Sequence, residues 1–304
     1  DHMGDEPVAA EVLAAKVDAH ASSLFRVMRM LASFGVFSQE PGGKFALTPL
    51  GALLRTDAPG SMRYMAMMLG DEPSMRAYVH MADCIRTGQD GITMAYGKPI
   101  FDLFAERPEQ AETFQRAMSG GSAIAAQSIL ASYDFSGIER LADLGGGHGL
   151  LLASVLQKYP AMQGVLFDLP EVVAGVPDDR LASCGGRLRV EAGSFFERVP
   201  QGCDAYMMKH IIHDWSDEHC RNILRLIRAE LPPHGRVLVC EQVMPEEPGP
   251  APAKMLDIEM LVMTVGGKER TPREFAELFA SAGLKLERIV TTPTPTCVIE
   301  ALPA

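Results

Sequence analysis

The chain has 304 residues, enough for about two domains, each with a substantial core. Apolar residues make up 47% and charged ones 22%, and no apolar run approaches the ~18 residues of a membrane helix, which excludes membrane-spanning and disordered classes. Lys and Arg number 28 against 39 Asp and Glu, a net charge of −11 that opposes binding through a nucleic-acid backbone.

Six cysteines (Cys84, Cys184, Cys203, Cys220, Cys240 and Cys297) form no C-x-x-C pair, and no signal peptide with a basic start and apolar middle is present. Reduced thiols in a cytoplasmic protein are the expectation. The chain opens Asp1-His2-Met3, which fits a protein lacking an N-terminal segment.

Val8 to Ala14 is apolar at helical spacing, and Leu24, Val27, Met28 and Leu31 share one face of a second helix that Gly35 ends. Val36 to Ser38 and Phe45 to Leu47, joined by Pro41-Gly42-Gly43, read as a hairpin, so the front has a winged helix-turn-helix pattern. Residues 1–60 carry seven acidic and five basic side chains and no basic stripe, so a packing or dimerisation module is the better reading than a DNA-binding one. Residues 61–135 read as helical and rich in methionine, whose flexible thioethers fill a core or line an apolar pocket. Gly88, Gly91, Gly97 and Pro99 mark a loop, and the domain boundary is set near residue 97: 1–97 in front, 98–304 behind.

From Ile138 strands and helices alternate. Strands are expected at 141–144, 164–168, 188–190, 205–208, 236–240 and 286–290, and helices at 150–156, 217–230 and 272–282. A doubly wound α/β sheet follows, with Thr296 to Ala301 as a closing antiparallel edge strand.

The sharpest signal is Asp143-Leu144-Gly145-Gly146-Gly147-His148-Gly149. Glycines there allow close backbone approach, and the next helix points its N-terminal amides at the same space, which suits an anionic group. Nineteen residues after Gly149, Asp168 ends the second strand, where a carboxylate accepts both hydroxyls of a ribose. The dinucleotide fingerprint G-x-G-x-x-G is absent in either register, because Leu150 and Leu152 stand at its last position. Asp143 instead suits a ligand bearing an ammonium and a carboxylate, as S-adenosylmethionine does.

After the fourth strand comes Met208-Lys209-His210-Ile211-Ile212-His213-Asp214-Trp215-Ser216-Asp217. Ser216 reads as a helix cap, so His213 and Asp214 lie in the loop outside the carboxyl ends of the strands, where open α/β sheets bind ligands. A histidine beside a carboxylate is a fitting general base for a hydroxyl or thiol. His210, His213, His219 and Asp214 lack a recognised metal-site spacing, and neither His210 nor His219 is given a role.

These residues resemble the S-adenosylmethionine-dependent O-methyltransferases of the caffeate and bacterial polyketide type. The resemblance rests on LADLGGGHG (141–149), FDLPE (167–171), GSFF (193–196), MKHIIHDWSD (208–217), Cys240-Glu241 and GGKERT (266–271), and with the winged-helix front it covers nearly the whole chain. It implies a Rossmann-like methyltransferase fold, the cofactor S-adenosylmethionine and a homodimer. It also implies His213 as the catalytic base, flanked by Glu241 and Glu269. Asp143, Gly145, Gly147, Asp168, Ser194, Phe195, Lys209 and Asp214 are the implied cofactor contacts, Ser194 standing where many relatives have an acid. Trp215, the only tryptophan, is read as packing.

The expected acceptor is a hydroxyl on a small aromatic or polyketide-like molecule, in an apolar cavity lined by the methionines of 62–81 and 255–263. The competing readings are a relative that keeps the cofactor but hydroxylates or catalyses a pericyclic step, a ligand-sensing regulator, and a nicotinamide oxidoreductase.

Overall fold

The structure is a computed structural model that describes residues 1–304, apart from the side chains of residues 119, 121 and 122. The front begins with β1 (Val8–Ala9), α1 (Ala10–Lys16), α2 (Ala21–Ser33), β2 (Phe37–Glu40) and β3 (Lys44–Leu47). The helix expected from Val8 starts two residues later, because Val8 and Ala9 pair with Phe45 and Lys44 and make the hairpin a three-stranded sheet in the order β1-β3-β2. Gly42 and Gly43 turn the hairpin with φ of 77° and 73°, a region that other residues avoid. Met3, Ala10, Leu13, Met28 and Phe45 form a small core between helices and wing.

Six short helices and a long one follow: α3 (Pro49–Ala52), α4 (Arg63–Leu69), α5 (Glu72–Val79), α6 (Met81–Thr87), α7 (Gly91–Tyr96), α8 (Ile100–Glu106) and α9 (Pro108–Ser132). Thr48, Asp71 and Asp90 cap α3, α5 and α7 by accepting from a backbone N–H three residues on, and left-handed Gly88 and Gly97 stop α6 and α7. The methionines divide: Met81 and Met263 pack on a buried cluster of Ala77, Cys84, Ile92, Ile100, Leu103 and Val262, whereas Met67, Met75 and Met255 are exposed.

The remaining elements are β4 (Arg140–Leu144), α10 (Leu150–Lys158), β5 (Gln163–Asp168), α11 (Pro170–Val173), α12 (Asp178–Ser183), β6 (Leu188–Ala192), β7 (Ala205–Lys209), α13 (Asp217–Glu230), β8 (Arg236–Gln242), α14 (Pro252–Met263), α15 (Pro272–Ala280), β9 (Leu284–Val290) and β10 (Thr296–Pro303). They build a seven-stranded sheet in the order β6-β5-β4-β7-β8-β10-β9, the first five strands parallel and β10 antiparallel to both neighbours. Alternate strand residues face opposite layers: Ala142, Leu144, Tyr206 and Val239 pack toward Ile223, Leu224 and Phe275, while Leu141, Met207 and Leu238 pack toward Ile129, Leu152 and Val155.

Thr296 to Ala301 is not the edge strand. β10 inserts between β8 and β9, and its nearly continuous burial, against the exposed residues of β9, is the physical reason. The strand order reverses at β4, whose neighbours are β5 and β7, and the carboxyl ends of β4 and β7 open the crevice where doubly wound sheets bind ligands. Helix α14 leaves the sheet after β8 and packs on α5, α6 and α7. It carries the chain from the front core back to the segment before α15.

Among the described residues no helix is long and apolar enough to cross a membrane.

Candidate active site

The glycine turn leaves β4 at the switch point. Gly145, Gly147 and Gly149 have φ of 67°, 57° and 72°, so three left-handed residues in five fold the chain back before α10. Gly145 N–H donates to Phe167 O at 2.8 Å, and a Cβ on Gly145 would collide with Ile211 Cδ1. At Gly147 an added Cβ would meet nothing nearer than Gln115 Oε1 at 4.0 Å and would fill the space above the turn. That open cradle, at the amide end of nine-residue α10, fits the carboxylate of an amino-acid moiety.

The acidic partners lie around it. Asp168 Oδ2 accepts from Gly147 N–H at 2.8 Å and Oδ1 from Leu169 N–H at 2.8 Å, so the end of β5 and the turn are tied by one carboxylate. Burial raises its pKa, and those two hydrogen bonds pull against the rise. Asp143 is buried under Gly146, and burial, with Asp168 adding and Lys209 opposing, pushes its carboxyl up to about 7. Lys209, ending β7, is lowered by burial, with Asp143 opposing. Two carboxylates and one ammonium around a glycine cradle match the ammonium, carboxylate and ribose hydroxyls of S-adenosylmethionine.

Ser194 and Phe195 stand beside this space in different ways. The Phe195 ring lies 3.4 Å from where a Gly145 Cβ would be, and it meets Phe196 and Trp215 edge to face. Ser194 Oγ accepts from Phe196 N–H at 3.3 Å, a local turn contact, and Gly193 N–H joins the segment to Asp168 O at 2.9 Å.

His213 sits in one turn of 3-10 helix, Ile212–Asp214, between β7 and α13. Its Nδ1 is 2.7 Å from Glu269 Oε1, and Asp214 Oδ1 is 3.6 Å from its Nε2. Glu241, at the end of β8, does not touch the ring: its Oε1 accepts from the backbone N–H groups of Ile211 at 3.2 Å and His213 at 3.1 Å. Burial opposes an imidazolium here, but Asp214, Glu269 and Glu241 outweigh it and hold the His213 pKa up to about 9. Burial, with Glu269 adding, pushes Asp214 up to about 6 and also raises Glu241.

The Gly266-to-Thr271 segment wraps this loop. Lys268 N–H donates to His213 O at 2.9 Å, and a Cβ on Gly267 would collide with His213 O and Thr264 Oγ1. Two contributors were not read from the sequence. Asp257 of α14 accepts the Glu269 N–H at 2.9 Å, and Arg270 is buried among the carbonyls of the His213 loop. Its place beside Glu269 inside GGKERT was the signal available for Arg270.

His210 has a left-handed backbone, φ 53°, and its ring lies 5.1 Å from that of His213. Burial, then Lys209 and His213, push its pKa well down. Trp215 stacks on Phe101 of α8 at 5.7 Å and meets Phe196 edge to face at 4.7 Å, so it packs as read and also joins the helical layer to the loop. Among the described residues no cluster of His, Cys, Asp or Glu is arranged to hold a metal ion.

Comparison with known proteins agrees with this architecture. Residues 78–285 match the O-methyltransferase domain family and residues 1–57 the O-methyltransferase dimerisation domain family. A phenazine O-methyltransferase of Lysobacter antibioticus is 39% identical over 305 residues, covering 100% of this chain and 89% of that protein. An O-demethylpuromycin-O-methyltransferase of Streptomyces alboniger is 37% identical over 313 residues, covering 100% and 82%. The SAH-bound crystal structure of a methyltransferase of calicheamicin biosynthesis superposes with a TM-score of 0.85 at 35% identity, covering 100% of this chain and 90% of that one. With the glycine cradle, its acidic partners and matches along the whole chain, the protein belongs to the O-methyltransferase family and is an S-adenosylmethionine-dependent enzyme.

Proposed function

We propose that the enzyme methylates a hydroxyl of a small aromatic or polyketide-like molecule, with His213 as general base. The observation that carries this is the 2.7 Å contact of His213 Nδ1 with Glu269 Oε1. Nδ1–H donates to the carboxylate, which leaves Nε2 of the neutral ring as the acceptor for the hydroxyl proton. Glu241 holds the backbone on which the ring stands, a positioning part rather than a ring contact.

S-adenosylmethionine, when bound, supplies a methyl group already activated for transfer. Gly145, Gly147 and Asp143 would hold its amino-acid end and Asp168 its ribose; Phe195 and Ser194 would flank the adenine, and Lys209 and Asp214 would adjoin it. The remaining work of the chain is to hold the acceptor oxygen close, to exclude water and to take the proton, the last worth roughly 100- to 10,000-fold. The stacked rings of Phe101 and Trp215, the residue after Asp214, support a flat acceptor.

The same reading divides the chain at residue 97 and makes the active form a cytoplasmic homodimer. The match to a dimerisation domain and the exposed Val27 and Met30 on α2, with Phe34 at its C-cap, support the dimer, and six unpaired cysteines support a reducing compartment.

The test is a labelled methyl-donor assay over phenolic and polyketide acceptors, run beside calorimetric titration with S-adenosylhomocysteine. His213→Gln is expected to keep micromolar cofactor affinity and lose most of the rate. A variant that methylates at the parental rate removes His213 as the base.

A further inference from the structure

Arg270 is only 1% exposed, has the largest fully buried side chain among the described residues, and lies beside the His213 loop. Its donors are all spent. Nη1 reaches Ile212 O at 2.9 Å and Lys268 O at 3.4 Å, Nη2 reaches Trp215 O at 3.0 Å and Cys220 Sγ at 3.4 Å, and both Nε and Nη2 reach Asp217 Oδ1, at 3.0 and 2.8 Å. The two loop carbonyls bracket His213 in sequence. From the other side, Glu241 accepts the N–H groups of Ile211 and His213.

A short 3-10 turn has few internal hydrogen bonds of its own, and burying its free amides and carbonyls is costly without partners. Here a carboxylate takes the amides and a guanidinium takes the carbonyls. Only a planar, multidentate cation spans Ile212, Trp215 and Asp217 at once. Glu269, which holds the ring, is the residue before Arg270, so ring contact and loop contact come from one segment.

We propose that Arg270 is a positioning residue for methyl transfer, fixing the Ile211–Trp215 backbone so that the His213 ring keeps its orientation toward the acceptor. This rests on the reading of His213 as the base. Arg270 touches neither the ring nor the cofactor cradle, and acts through the loop. The charged and titratable groups that face the ring are Asp214 of its own loop, Glu241 at the end of β8 and Glu269 of the wrapping segment, with the His210 ring 5.1 Å away and Lys209 beyond it acting on His210 and Asp214.

The experiment compares Arg270→Lys, Arg270→Met, Asp217→Asn and His213→Gln in the 304-residue chain. It reads melting temperature, S-adenosylhomocysteine affinity, kcat, acceptor KM, and the pH profile of kcat/KM. Arg270→Lys keeps the charge but cannot span the three partners. It is expected to lower kcat roughly 10- to 100-fold, with cofactor affinity and acceptor KM nearly unchanged. Its rising pH limb moves to lower pH, because a loosened loop weakens the Nδ1–Glu269 contact that raises the pKa. The lysine variant should outperform the methionine variant. Asp217→Asn, at a half-exposed site, loosens the anchor of Arg270 and should shift the same limb less.

Parental kcat and an unmoved limb in both Arg270→Lys and Asp217→Asn overturn the proposal. So does a loss of kcat that tracks lost melting temperature and cofactor affinity while the limb stays in place, the behaviour of a general prop. Where Arg270→Lys does not fold, the limb of Asp217→Asn decides alone. If His213→Gln keeps both rate and limb, the base reading fails and this proposal fails with it, an outcome that no Arg270 result imitates.

Discussion

His213 Nδ1 and Glu269 Oε1 stand 2.7 Å apart although 56 residues separate them, with both side chains almost wholly removed from solvent. A charge-assisted contact in such a place both orients the ring and raises its basicity. The pair sits where the β7 loop meets the segment returning from α14, so its geometry depends on two parts of the fold at once.

A general base works only when neutral, and the folded pKa of about 9 therefore sets the acid side of the rate profile. In the parent, kcat/KM for the acceptor should rise with pH through about that value. Glu269→Gln removes a carboxylate that favours the imidazolium, so the limb should move to lower pH. His213→Gln should abolish the limb and lower kcat roughly 100- to 10,000-fold. Stopped-time methylation assays across pH check all three.

Asp143 gives a stability prediction of its own. Its folded pKa of about 7 lies above the ordinary 3.8, so the folded carboxyl keeps a proton that the unfolded chain has lost. Its favourable contribution is complete below about 3.8 and disappears as pH rises through about 7. Asp143→Asn should therefore melt higher than the parent near neutral and alkaline pH, by roughly 2–4 °C for each kcal/mol regained, and should bind S-adenosylhomocysteine more weakly. Differential scanning calorimetry of the ligand-free proteins at several pH values reads this.

Asp168 and Gly145 test the cradle. Asp168→Ala frees the Gly147 and Leu169 N–H groups and removes the proposed ribose acceptor, which should cost about 2 kcal/mol, roughly thirtyfold in cofactor affinity. Gly145→Ala forces a Cβ into Ile211 at a left-handed φ and should weaken binding further. Calorimetric titration checks both, and parental affinity in either would move the cofactor elsewhere.

The exposed face of α2 carries Val27 at 51% and Met30 at 49% exposure, and Phe34, the residue that caps its C-terminus, is 74% exposed. A charge there should oppose self-association while leaving the small front core intact. Met30→Glu is expected to shift sedimentation velocity toward a monomer with little change in melting at low concentration. A variant that stays dimeric would exclude this face from the interface.

Much of the site was legible because its chemistry is local. The glycine turn, Asp168 at a strand end and the Ser216 cap that leaves His213 in a loop are all read from neighbours within a few residues. Less legible were contacts between distant segments. Glu241 and Glu269 both read as carboxylates flanking the histidine, and nothing in Cys240-Glu241 says that the Glu241 carboxylate will find backbone amides while Glu269 finds the ring. Likewise β1 pairs with β3, and β10 lies inside the sheet, because period-2 patterning tells a strand's faces but not its lateral neighbours.

The sequence by itself determined the fold class and the cofactor and nominated the candidate site residues, since hydrophobic period, turn glycines and motif spacing act over short stretches of chain. Only the tertiary structure decided the order of β8, β10 and β9, the division of labour between Glu241 and Glu269, and the burial of Arg270 among the loop carbonyls. Those outcomes come from satisfying buried amides, carbonyls and charges together, a condition imposed by packing across the whole chain.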